Sequence, residues 1–249
     1  MTTHFQIASD IHLEQNGIQD PFSIIRPVSP ILVLAGDIGS LYDISQLKDF
    51  LSKVCERFQH VIYVIGNHEY YKTLACRRGV PMGDLRQRAL SLSRQIENLH
   101  VLDRKTVRIN NIIFAGATFW SAIEAGGHYP EYIRRSLNVD KRTYRALHSR
   151  DAKWILRIIN SVGKNDDEKL AIITHYPPSM KTLRTLGTKN EEFYASNRED
   201  LLKKNVGVWI YGHTHHNKDF MVNGIRLVSN QKGKKYDRCA LCPCKVIEL

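Results

Sequence analysis

Six short apolar runs, each ending abruptly in small or polar residues, constrain this chain more than any other feature. They occupy residues 5–8, 31–35, 61–65, 112–115, 170–174 and 206–211, and are rich in Val and Ile. Continuous apolar runs of this length match strands buried on both faces. Helical periods lie between them. Ile44, Leu47, Leu51, Val54 and Phe58 follow i, i+3, i+7 spacing behind Asp43, a ready N-cap. Leu85, Ala89, Leu92 and Ile96 predict a helix over 84–98, and Trp154, Ile155, Ile158 and Ile159 a third apolar face that residues 161–163 stop. Alternating strand and helix predict an α/β fold in which polar groups collect where strands end. Residues 120–150, with Gly126, Gly127, Pro130 and several Arg and Tyr, show no clean period and read as a substrate-side insertion. No repeat or Pro/Gly/Ser-rich linker divides the chain, so residues 1–249 are expected to form one domain.

Composition narrows the function classes. With 43% hydrophobic and 24% charged residues the chain is expected to fold as an ordinary globular protein. No apolar stretch approaches the ~18 residues of a membrane span, so no membrane partner is expected. The N-terminus lacks a basic, then apolar, leader pattern, and five cysteines with Cys55 and Cys76 far from the rest suit reduced thiols; a cytoplasmic location is expected. The formal charge of +11 should attract anions: a phosphate-ester small molecule, a nucleotide, or nucleic acid. Its basic pairs, Arg77-Arg78, Arg134-Arg135, Lys141-Arg142 and Lys203-Lys204, are scattered and read as solvated faces. Oligomeric state is not legible.

The chemistry sits at the run ends. Residues two apart on an extended chain point to the same side, so Asp10 and His12 of Ser9-Asp10-Ile11-His12 are expected to share one metal. Gly36-Asp37 leaves one carboxylate alone at a strand end, where it could bridge two cations. Gly66-Asn67-His68-Glu69 offers an amide oxygen as ligand beside an imidazole able to carry a proton. His175 follows the fifth run; His213 and His215 follow the sixth in Gly212-His213-Thr214-His215. Carboxylate, amide and imidazole donors without thiolate suit Mn, Fe or Zn better than Ca or Mg.

The ordered set D-x-H, G-D, G-N-H-E, H and G-H-x-H resembles the calcineurin-like metallophosphoesterase superfamily, over residues 5 to about 230. The resemblance implies two packed mixed β-sheets flanked by helices. It implies one cation on Asp10, His12 and His215, a bridging Asp37, and a second cation on Asn67, His175 and His213, with His68 as proton donor. Two divalent ions ~3.5–4 Å apart would then activate a bridging hydroxide for in-line attack on a phosphomonoester or phosphodiester. The wording Asp10-Ile11-His12-Leu13-Glu14, Gly66-Asn67-His68-Glu69-Tyr70-Tyr71 and Gly116-Ala117-Thr118-Phe119-Trp120 resembles a branch of small stand-alone phosphoesterases.

Departures also matter. Phosphoprotein phosphatases of this superfamily carry V-D-R-G after G-D and Arg before G-N-H-E; here Ile38-Gly39-Ser40 and Ile65 stand instead, and His68 has no evident carboxylate partner. Glu69 either orients His68 or finishes the turn. Tyr70, Tyr71 and Trp120 either stack on substrate or pack in the core. His216 reads as a surface histidine, and the tail 232–244 as a basic loop with reduced thiols, its Cys-x2-Cys-x-Cys spacing leaving zinc as the lesser alternative. Two rival functions stay open: a non-catalytic scaffold of the same fold, and a nuclease acting on polymer phosphodiesters.

Overall fold

A computed structural model describes residues 2–72, 79–124, 126–162, 168–185, 187 and 190–249. Cys76, the Arg77-Arg78 pair and Gly163 lie outside the described residues. The chain runs β1 (His4–Ala8), a single turn α1 (Leu13–Asn16), β2 (Ile31–Ala35), α2 (Ile44–Cys55), β3 (His60–Val64), α3 (Met82–Gln95), β4 (Leu99–Leu102), β5 (Lys105–Ile109) and β6 (Ile112–Ala117). It continues through α4 (Glu131–Leu137), α5 (Lys141–Ser161), β7 (Lys169–Thr174), β8 (Val206–Ile210), β9 (Asp219–Val222), β10 (Ile225–Val228) and β11 (Val246–Glu248). One sheet has the order β11-β1-β2-β3-β4 and the other β5-β6-β7-β8-β10-β9. Antiparallel pairing is confined to β1–β11, β5–β6 and β9–β10 among the named strands. Both sheets are therefore mixed, with parallel centres.

Strand alternation explains the layers. In β2, Ile31, Val33 and Ala35 face the other sheet, where they join Phe5, Ile7, Val64, Phe114, Ile173 and Ile210 in an inter-sheet core. The Phe5 and Phe114 rings meet edge to face at 5.2 Å. Leu32 and Leu34 point the opposite way, onto Leu47, Leu51 and Val54 of α2 and Leu85 and Leu92 of α3. On the far side Ile172 and Trp209 pack against Ala152, Ile155 and Ile159 of α5. The predicted pair of sheets flanked by helices is thus observed. Because every central strand is covered on both faces, its sequence is apolar throughout.

Each of the six apolar runs became a strand, and the three helical periods became α2, α3 and the second half of α5. Asp43 caps α2 as expected, its Oδ1 accepting from Gln46 N at 3.3 Å. Asp43→Ala should cost about 1 kcal/mol, read as a lower urea midpoint with unchanged slope. Two readings need correction. Residues 120–150, which show no clean period in the sequence, contain α4 and the start of α5. In the first half of α5 the buried positions are Tyr144, Leu147, His148 and Asp151, spaced i, i+3, i+4, i+7, so the helical period there is carried largely by polar and aromatic groups that a hydrophobic count passes over. His148 Nδ1 donates to Trp120 O at 2.5 Å and Asp151 accepts from Phe119 N at 3.0 Å, which ties α5 to the loop after β6. The other omission is the five strands outside the six runs: β5, β9 and β11 are edge strands whose exposed Lys, Arg, Asp and Glu break the apolar signal, and β4 and β10 are four-residue strands interrupted by His100 and Arg226. Among the described residues no helix is long and apolar enough to cross a membrane.

Candidate metal centre

Parallel strands deliver their C-terminal ends to one edge, and all eight singled-out side chains meet there. Asp10 and His12 follow β1, Asp37 follows β2, and Asn67 and His68 follow β3; His175 follows β7, and His213 and His215 follow β8. They do not arrive on extended backbone as the D-x-H argument assumed. Asp10 (φ 54°), His12 (φ 50°), Asp37 (φ 54°), His213 (φ 71°) and His215 (φ 48°) all lie in the left-handed region. Each such non-glycine residue costs on the order of 1–2 kcal/mol unless its surroundings hold it. The surroundings do: Asp10 N donates to Gly36 O and His12 N to Asp37 O, both at 3.0 Å. His68 N donates to Asp37 Oδ1 at 2.8 Å and His213 N to Asp10 Oδ1 at 3.0 Å. The turns thus fasten one another.

Two glycines are required by close approach. A Cβ on Gly36 would sit 2.5 Å from His175 Nδ1, and one on Gly66 would overlap Asp37 Oδ1 and lie 2.5 Å from Asp37 N. Gly66→Ala must therefore displace Asp37. We expect a loss of about 1–3 kcal/mol in thermal unfolding together with loss of metal binding, whereas native-like metal uptake would show that the loop can yield.

The donor atoms form three overlapping groups, the middle one sharing His12 with one neighbour and Asp37 with the other. His215 Nε2 lies 3.3 Å from Asp10 Oδ1 and 3.1 Å from His12 Nε2. His175 Nε2 lies 3.2 Å from Asp37 Oδ2 and 2.9 Å from Asn67 Oδ1. Asp37 Oδ2 is also 3.8 Å from His12 Nε2. Ligand atoms of Asp10, His12 and His215 cluster within 4.8 Å of one another; so do those of Asp37, His175 and His213, and those of His12, Asp37 and His68. Asp10, His12, Asp37, Asn67 and His175 are buried.

The outer ring nitrogens show that this cluster suits cations. His12 Nδ1 donates to Glu14 Oε1 at 3.1 Å, His215 Nδ1 to Asp237 Oδ2 at 2.5 Å, His175 Nδ1 to Ala35 O at 2.9 Å and His213 Nε2 to Phe193 O at 3.0 Å. A proton placed on each outer nitrogen leaves an inward lone pair, the arrangement that orients metal-binding imidazoles. The His12 and His215 lone pairs would then face each other across 3.1 Å, which calls for positive charge between them. Electrostatics agree. Burial opposes ionisation of Asp37, yet His175, His68 and His12 hold its carboxyl well below the usual range. Burial likewise opposes ionisation of Asp10, which its bond and attraction to His215 keep lowered. Burial and the neighbouring His175 push His213 down to about 3, so its imidazole is a neutral donor.

Three carboxylates that support the cluster were not assigned from the sequence. Glu14, on the turn α1, lies 3.5 Å from His68 Nδ1 as well as 3.1 Å from His12 Nδ1, so His68 does have a carboxylate partner. Burial would raise the Glu14 carboxyl, but the His12 and His68 contacts bring it down to about 2. Its signal was its place two residues after His12. Glu69 is buried and accepts from Gly66 N, Asp37 N, Ile38 N and Tyr63 Oη at 2.7–3.0 Å; it locks the two loops together and does not orient His68. Asp237 comes from the tail, which the motifs had seemed not to need, and no local spacing marks it. Tyr70 and Trp120 are core residues with rings 5.8 Å apart, whereas Tyr71 stacks on His68 at 4.6 Å. His216 is half-buried beside the cluster. In the tail, Cys242 and Cys244 Sγ are 3.9 Å apart, but Cys239 turns to Gln231 O, and the three thiols form no metal-sized group.

Comparison with known proteins agrees with this architecture. The sequence profile of the family described as calcineurin-like phosphoesterase matches residues 4–217. The uncharacterized protein L509 of Acanthamoeba polyphaga mimivirus is 27% identical over 97% of this chain and 95% of its own length. Phosphopantetheinyl hydrolase from Mycobacterium tuberculosis superposes with a TM-score of 0.74 at 16% identity, over 94% of this chain and 91% of that one. A dimetal phosphatase from Danio rerio gives 0.58 at 13% identity, over 92% and 87%. These two likenesses concern the fold. The match across 214 residues of the family profile, on a chain folded as two mixed sheets between helices, shows that this protein belongs to the calcineurin-like phosphoesterase family.

Proposed function

We propose that the chain is a dinuclear metal-dependent phosphoesterase acting on a phosphate-ester small molecule such as a nucleotide. Asp10, His12 and His215 would hold one divalent cation, Asn67, His175 and His213 the other, and Asp37 would bridge. The single observation that carries this reading is the membership of Asp37 in donor groups on both sides of the cluster. The donor chemistry favours Mn, Fe or Zn. When bound, such a pair supplies Lewis-acid polarisation of the phosphoryl oxygens and lowers the pKa of coordinated water.

The protein's own groups do the rest. Outer acceptors fix the four imidazoles, and the glycine-lined turns bring the carboxylates close. His68, half-buried at the cluster's edge, has its Nδ1 toward Glu14, which leaves Nε2 to carry a proton to the departing oxygen. The free thiols of Cys55, Cys239, Cys242 and Cys244 suit a reducing, cytoplasmic setting.

The test is hydrolysis of p-nitrophenyl phosphate and bis-p-nitrophenyl phosphate by metal-stripped protein resupplied with Mn. Release should require metal and saturate at two equivalents per chain. Stoichiometric metal uptake with no release under Mn, Fe, Co, Ni or Zn would instead favour a scaffold. The formal charge of +11 supports a second reading, a nuclease. An enzyme tracking several phosphates should lose affinity steeply with salt, and a small-ester enzyme only weakly.

A further inference from the structure

A cavity of about 490 Å³ lies outside the metal cluster, between Tyr70, the start of α3, the β4–β5 turn, the loop after β6 and α5. Three guanidinium groups line it: Arg86, Arg104 and Arg150. Two carboxylates answer them. Asp103 pairs with Arg86 Nε and, at 2.9 Å, with Arg104 Nη1; Asp151 takes Arg104 Nη1 at 2.6 Å. One positive charge is left over. It belongs to Arg150, an exposed side chain at the cavity mouth that forms no ion pair or hydrogen bond among the described residues. Among the described residues Arg86 commits only its Nε, so its terminal N–H groups have no partner there.

Most of the remaining wall is apolar. Met82, Leu147 and the Tyr70 and Trp120 rings, with Gly83 and Thr118, complete the lining, and Pro81 at the head of α3 offers no side-chain acceptor to the first-turn N–H groups. A volume of this size, with few convergent polar groups on an apolar wall, has the character of a small-molecule pocket.

We propose that this cavity binds a small organic phosphate, its head held by Arg150 and Arg86 and its apolar body against Met82, Leu147 and Trp120. Planar guanidinium groups match phosphate oxygens in pairs, and the apolar wall selects against inorganic phosphate. Neither arginine belongs to the metal cluster, and the proposal does not depend on hydrolysis there.

The test uses metal-loaded protein and calorimetric titration with phenylphosphonate, which cannot be hydrolysed as an ester, with benzoate in parallel. Wild type should show a binding class that Arg150→Ala weakens roughly tenfold or more, since a charge-assisted hydrogen bond is lost. Gly83→Leu should remove the same class by filling the cavity. Gly83 lines the cavity in ordinary helical backbone, and a Cβ there meets nothing within 4 Å, so the variant should fold normally. Metal content and hydrolysis of bis-p-nitrophenyl phosphate should match wild type in both variants. Wild-type affinity in both variants, or no binding in wild type, would overturn the proposal. Benzoate binding as tightly as phenylphosphonate would overturn the assignment of a phosphate head.

Discussion

Asp37→Asn should abolish metal-dependent hydrolysis and sharply weaken metal uptake together. Asp37 Oδ2 faces His175 Nε2 at 3.2 Å and His12 Nε2 at 3.8 Å, while Oδ1 accepts from His68 N at 2.8 Å. The amide substitution removes the one negative charge common to both sides of the cluster. It also puts an NH2 group where an acceptor must be. A fall of roughly 10³-fold or more in kcat/KM, about 4 kcal/mol in the barrier, is expected. Metal stoichiometry measured on the same preparation should drop below two per chain. Full activity with native metal content would remove Asp37 from the bridging role.

His68→Ala should separate the two properties. Metal content should stay native, because the seven other side chains retain their positions, while kcat falls by roughly 10²–10⁴-fold. Leaving group decides the size of the loss. p-Nitrophenolate departs readily without a proton, whereas an alkoxide does not, so the defect should be far larger on an alkyl phosphate. A uniform loss across leaving groups would argue that His68 positions substrate rather than donates a proton. Glu14→Gln should reproduce a weaker form of the same defect, roughly 10–100-fold, because His68 loses the carboxylate that orients its Nδ1. His12 shares Glu14, so a parallel metal titration distinguishes loss of the acid from loss of a ligand.

Much of this was legible in the chain. Buried parallel strands must be apolar on both faces, so β2 and β7 could be read directly from Ile31, Leu32 and Val33 or from Ala171, Ile172 and Ile173. Edge strands obey no such demand. β5, with Lys105, Thr106 and Arg108, reads like loop because only one side of it is covered. Helix α5 was half visible: its second part buries isoleucines, but its first part buries Tyr144, His148 and Asp151, whose period shows only when polar residues are allowed inside.

The sequence by itself determined which side chains could meet: short apolar strands ending in a coordinating residue, three of them after a glycine, leave those residues at one sheet edge, whatever the details of the turns. It could not determine how the turns hold them. Asp10, His12, Asp37, His213 and His215 sit in left-handed backbone that their own types disfavour, and only hydrogen bonds from neighbouring loops make that conformation persist. Nor could it assign the outer acceptors. Asp237 reaches His215 across 22 residues of chain and Ala35 O reaches His175 across 140, because sheet packing, not sequence distance, sets which groups touch.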